Sequence, residues 1–185
     1  MNILGLDPGL LRLGIAGIET HGDEIKLITY GFISHTRNSN SSFNEHLNLG
    51  IRQIVDQFPR ILNEIHPVLI ISELVPPGRL GKNSELVIAA ITTCKVIAFQ
   101  WGIVWKDIAA NTVKKEITDD GRASKVKIKN AVLDLFPEMI DHHARLKKDQ
   151  KKKGERSVGI VQDTFDAVAI AVAGAKIHSN LGDKN

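Results

Sequence analysis

Ile3-Leu-Gly-Leu-Asp-Pro-Gly9 is a short apolar run broken by a turn former, and apolar, β-compatible residues resume from Leu13 to Glu19. This pairing predicts a hairpin whose first strand ends at Asp7. Ile25 to Ser34, with apolar residues at near-alternating positions, predicts a third strand. Arg37 to Ser42 reads as a polar loop. From Phe43 to His66 the positions Leu47, Ile51, Ile54, Val55, Phe58, Ile61, Leu62 and Ile65 recur at helical spacing. Pro59 is expected to kink or divide that helix, and Pro67 to end it. Val68 to Ser72 is a β-branched run suited to a strand buried on both faces, with Glu73 at its end. Asn83 to Trp101 is apolar all round and predicts a buried helix closed by Gly102, followed by a strand over Ile103 to Ile108. Helices are expected from Asn111, over Ser124 to Leu135, and over Gln162 to Ile177. The sum is an α/β chain with a mixed five-stranded sheet and helices on both faces.

At 185 residues the chain is read as one domain, residues 1–185, with a basic loop at about 141–160. Hydrophobic residues at 43% and charged residues at 24% exclude a disordered or fibrous chain. No apolar run approaches the roughly 20 residues that span a bilayer, so no membrane association is expected. The start lacks a basic region and a cleavable apolar stretch, which predicts no export and a cytoplasmic protein. The single cysteine, Cys94, excludes an internal disulfide and a multi-cysteine metal centre. Charge is uneven: Lys114 to Arg156 holds 13 Lys and Arg against 8 Asp and Glu, while the rest of the chain is slightly acidic.

Four acids lie in otherwise apolar settings. Asp7 and Glu73 end strands that can be sheet neighbours, and Asp163 and Asp166 are spaced i, i+3 so as to face one way from the first turn of the last helix. Singly, each has a bland explanation: a turn former, an N-cap, a dipole-favouring acid. Together they would repel one another unless hard divalent cations with oxygen ligands intervened. Two such ions would suit an in-line phosphodiester displacement.

The segments Ile3-Leu-Gly-Leu-Asp-Pro-Gly9 with Gly14, Val68-Leu-Ile-Ile-Ser-Glu73 and Gln162-Asp-Thr-Phe-Asp-Ala-Val-Ala-Ile-Ala171 make the chain resemble the RuvC-type Holliday-junction resolvases of the ribonuclease H-like superfamily. That resemblance implies that Asp7, Glu73, Asp163 and Asp166 are catalytic metal ligands, with two Mg²⁺ per site and Mn²⁺ able to substitute. It also gives Lys114 and Lys125 roles in catalysis and DNA binding. A phosphate arriving among four carboxylates needs such positive charge. It further implies a homodimer that nicks branched DNA, and Asn83 to Trp101 is the candidate dimer face. Arg79, Lys82 and the run Lys147, Lys148, Lys151, Lys152 and Lys153 are further candidate DNA contacts. After Glu73 the chain has Val75-Pro-Pro-Gly-Arg-Leu80, where the family tends to carry an aromatic residue. His142-His143 and the indoles of Trp101 and Trp105 read as surface and packing residues. The alternatives are a non-cleaving DNA-binding module of the same fold, an actin- or Hsp70-like ATPase, and a ribonuclease H-like enzyme acting on RNA or hybrids.

Overall fold

The computed structural model describes residues 1–9, 11–34, 42–75, 84–141, 144 and 158–182, with side chains of the last segment described over 162–179. Arg79, Lys82, His142-His143 and the lysines at 147, 148, 151, 152 and 153 lie outside the described residues.

Strands β1 (Asn2–Asp7), β2 (Arg12–His21), β3 (Glu24–Ser34), β4 (Leu69–Glu73) and β5 (Val104–Ile108) form one sheet in the order β3-β2-β1-β4-β5. β1 runs antiparallel to β2, with Asp7 opposite Gly14, and parallel to β4, with Leu6 opposite Ser72. Alternation along these strands sorts their side chains between two cores. Leu4, Leu6, Ile15 and Ile70 join the core beneath helices α1 (Phe43–Ile65) and α2 (Ser84–Gln100). Ile3, Ala16, Leu69 and Ile71 join the core beneath α3 (Ala110–Thr118), α4 (Lys125–Leu135) and α5 (Val158–Gly182). Asp7 and Glu73 share the odd-numbered parity of Ile3 and Ile71. The same alternation that builds the second core therefore directs both acids to the α5 face.

Three expectations need correction. Pro59 does not divide α1, which is continuous from a Ser42–Glu45 capping box to a left-handed His66; Pro59 is mid-helix, and the tertiary packing of Ile54, Phe58 and Leu62 offsets the one lost hydrogen bond. α2 is not buried all round: Ala90, Cys94, Ile97 and Ala98 are covered, whereas Ile88, Val96 and Phe99 are exposed. It packs on α1 and β5, and among the described residues its outer side is exposed. The last helix starts at Val158, so Asp163 is neither its N-cap nor in its first turn, and Asp166 lies further inside.

Helix α5 lies unusually close to the sheet because small residues meet small residues. A Cβ on Gly5 would collide with the carbonyl of Ala167 and stand 2.6 Å from Ala171 N. One on Gly174 would stand 2.9 Å from Ile71 Cδ1. One on Gly14 would collide with the carbonyl of Asp163 and approach Asp7 Cβ at 3.2 Å. The missing side chain at Gly14 is thus what lets the acidic part of α5 settle beside Asp7.

Candidate active site

Two clefts meet at Asp7. The first, of about 250 Å³, is lined by Asp7, Glu73 and Asp166 and by Lys114 and Lys125, with Val113 and Ile128 forming an apolar wall. The second, of about 220 Å³, is lined by Asp7, Leu11, Arg12, Leu86, Val87 and Asp163. The structure therefore gathers all four acids around Asp7. It also splits the helical pair: Asp166 opens on the first cleft and Asp163 on the second, so the i, i+3 spacing serves two sides of one residue.

The electrostatics express this crowding. Burial, reinforced by the charges of Asp166, Asp163 and Glu73, pushes the Asp7 carboxyl up to about 8. Glu73 is raised by burial and by Asp166, against the pull of Lys125 and Lys114. Asp163 is raised by burial, opposed by the Arg12 guanidinium and reinforced by Asp166. Lys125 Nζ donates to Asp166 Oδ2 at 3.2 Å, while Gln162 Nε2 donates to Asp166 Oδ1 at 2.9 Å. Partial burial works against the Lys125 ammonium, but Asp166, Asp7 and Asp163 outweigh it and hold it protonated above its ordinary range. Ser124 caps α4 by accepting from Lys127 N and so sets Lys125 at the first helical position. Lys114 belongs to α3, one turn before Thr118 Oγ1 donates to its carbonyl.

Sequence reasoning missed Arg12. Its Nε lies 2.9 Å from Asp163 Oδ2, across a separation along the chain that offers no local signal. The only hint is a basic residue just after the Asp-Pro-Gly turn.

The donor set is all oxygen, four carboxyls against the three cations Arg12, Lys114 and Lys125. That chemistry fits hard divalent cations. Among the described residues no three His, Cys, Asp or Glu stand close enough together, as placed, to hold an ion. The acids surround Asp7 with two of them engaged by Arg12 and Lys125.

A mixed five-stranded sheet in this strand order, with helices on both faces, is the ribonuclease H-like α/β fold. The family model described as crossover junction endodeoxyribonuclease RuvC matches residues 3–145, and the chain belongs to that family. It is similar to the crossover junction endodeoxyribonuclease RuvC of Nitrobacter hamburgensis, 26% identical over 177 residues, which cover 95% of this chain and 89% of that one. Its fold is similar to that of Thermus thermophilus RuvC in complex with a Holliday junction substrate, at a TM-score of 0.73 and 19% identity over 98% of this chain and 96% of that one. The yeast mitochondrial Holliday junction resolvase is also similar, at a TM-score of 0.63 and 13% identity, covering 98% and 80% of the two chains.

Proposed function

We propose that the chain is a divalent-metal-dependent endonuclease that resolves Holliday junctions by paired nicks. Family membership makes it a crossover junction endodeoxyribonuclease. The observation that carries the metal and residue assignments is the convergence of Asp7, Glu73, Asp163 and Asp166 on two clefts that share Asp7. In this reading those four residues hold two Mg²⁺, for which Mn²⁺ substitutes. Ions held there would supply Lewis-acid activation of a water and charge neutralisation at the departing 3′ oxygen.

The chain's own contribution is positional and electrostatic. Asp7, nearly buried at the end of a central strand, sets the depth of the scissile phosphate. Lys114 and Lys125 stand on the wall facing it and hold the phosphate by charge. Lys125 is suited to leave Asp166, because it is largely exposed, at 69% of its side chain, and such a pair is worth at most about 1 kcal/mol. The apolar wall of Val113 and Ile128 limits water at that side of the cleft.

A Holliday junction presents equivalent strands related by symmetry, so a second copy supplies the second nick. The exposed Ile88, Val96 and Phe99 of α2 support that helix as the contact between copies. We read the chain as a single nuclease domain acting in the cytoplasm. Among the described residues no helix is long and apolar enough to cross a membrane.

The test is cleavage of a synthetic four-way junction, a fork and a duplex in Mg²⁺ and in EDTA. Wild-type protein should place paired symmetric nicks in the junction in Mg²⁺ alone. Asp7→Asn should bind the junction and not nick it. Nicking by Asp7→Asn would remove the assignment, and junction binding with no nicking by the wild type would make the chain a non-cleaving module.

A further inference from the structure

The two clefts around Asp7 differ in how they are charged. The first has two lysines for its anionic guest. Among the described residues the second has one cation, Arg12, which pairs with Asp163 at 2.9 Å. The remaining walls, Leu11, Leu86 and Val87, are apolar and suit a sugar or base face better than a second carboxylate.

Asp7 forms part of both clefts, so a strand whose scissile phosphate sits at Asp7 runs from one into the other. The linkage beside the scissile one then lies in the second cleft. A backbone phosphate there needs a cationic donor, and the planar fork of an arginine matches it. Arg12 can be released for this purpose. Its pair with Asp163 is partly open to solvent, with 39% of the arginine and 21% of the aspartate side chain exposed, so water and a phosphate can reach the guanidinium. A divalent cation on Asp163 replaces the charge that the guanidinium supplied.

We propose that Arg12 is a DNA-positioning residue that exchanges Asp163 for the phosphate neighbouring the scissile one when cations occupy the site. This rests on the nuclease reading above and adds to it a strand path through the second cleft.

The experiment measures binding of a four-way junction and of a duplex of the same sequence, in Ca²⁺ and in EDTA, by wild type, Arg12→Ala and Arg12→Lys. Thermal melting of each variant first establishes that it is folded. In Ca²⁺, Arg12→Ala should bind the junction about 10-fold more weakly and reduce the slope of log K against log salt by about 1. A neutral methylphosphonate at the linkage beside the cut site should weaken the wild type and leave Arg12→Ala unaffected. In EDTA, with the guanidinium held by Asp163, wild type and Arg12→Ala should bind alike, and Arg12→Lys should recover part of the Ca²⁺ affinity. Equal affinity and slope in Ca²⁺, or the same loss in EDTA as in Ca²⁺, overturns the proposal while wild-type preference for the junction leaves the nuclease reading standing. A wild type that does not prefer the junction to the duplex sinks both.

Discussion

Helices α5 and α2 look alike as text, both apolar on nearly every side, yet the molecule treats them oppositely. In α5 the run Ala167 to Ala173 is almost wholly buried, pressed on β1 and β2 and flanked by α3 and α4. In α2 the larger residues Ile88, Val96 and Phe99 face outward, Phe99 with 61% of its surface exposed. Hydropathy does not distinguish the two, but side-chain size does. Alanine and glycine let the α5 backbone touch the sheet at Gly5 and Gly14, which fixes the height at which its acids meet Asp7. The bulkier residues of α2 cover α1 with one side and stay exposed on the other, the side proposed above to meet a second copy. If that proposal holds, substitutions in the two helices should fail in different ways.

The largest effect concerns the acids that α5 delivers. Asp7 is ordinarily ionised above pH 3.8 and is pushed up to about 8 in the folded, ion-free protein. Between those values the folded state binds more protons than the unfolded state, so this group makes stability fall as pH rises, by on the order of a few kcal/mol across the window. Melting in EDTA from pH 5 to pH 8 should show the wild type losing stability relative to Asp7→Asn, and Mg²⁺ should restore it in the wild type alone. Parallel melting curves for the two proteins would mean that the crowding of acids around Asp7 costs the fold nothing.

Next in size is Gly14→Ala. The added methyl meets the carbonyl of Asp163, a backbone atom that cannot rotate aside, and pushes the start of α5 away from Asp7. Misplacement of reacting groups by about 1 Å costs on the order of 100-fold. Nicking should fall by about that factor while junction binding persists, and unchanged nicking would mean that α5 is not held in position at Gly14. Gly5→Ala acts on the same helix further from the acids. It should lower stability by about 1–3 kcal/mol, as overpacking does, read as a drop in melting temperature.

Much of this arrangement was legible before any coordinates. The two strands announced themselves by composition, and Asp7 and Glu73 could be placed at the ends of strands able to be sheet neighbours, although the face they share follows from the pairing of Leu6 with Ser72. The four acids stood out by their apolar settings, whereas Lys114 and Lys125 were named only by the resemblance to the resolvase family. What stayed hidden depends on contacts made across the chain. α5 begins at Val158, four residues before the start expected from the sequence, where Gly159 weakens the helical signal. The Arg12–Asp163 pair joins residues far apart in sequence, and the acid nearest to Arg12 along the chain, Asp7, is not its ion-pair partner. Asn83 to Trp101 could be offered as a dimer face, but which side of the helix stays uncovered was not legible, because an apolar helix reads the same whether its cover comes from its own chain or from another.

That last ambiguity leads to the smallest effect on the fold itself. Phe99→Glu places a charge on the outer side of α2 without touching Ala90, Cys94, Ile97 or Ala98, which hold the helix to its own core. An exposed substitution of this kind changes monomer stability by about 0.5 kcal/mol or less. In an interface it leaves a buried, unpaired carboxylate, which costs far more. Sedimentation should therefore show a dimer of the wild type and a monomer of Phe99→Glu at the same concentration, with nearly the same melting temperature for the monomer unit. On a four-way junction the monomeric variant should nick single strands without pairing the nicks, because its site is intact and its second copy is not recruited. If Phe99→Glu instead melts far below the wild type at every concentration, the outer side of α2 is needed within one chain, and its contrast with α5 is one of packing order rather than of purpose.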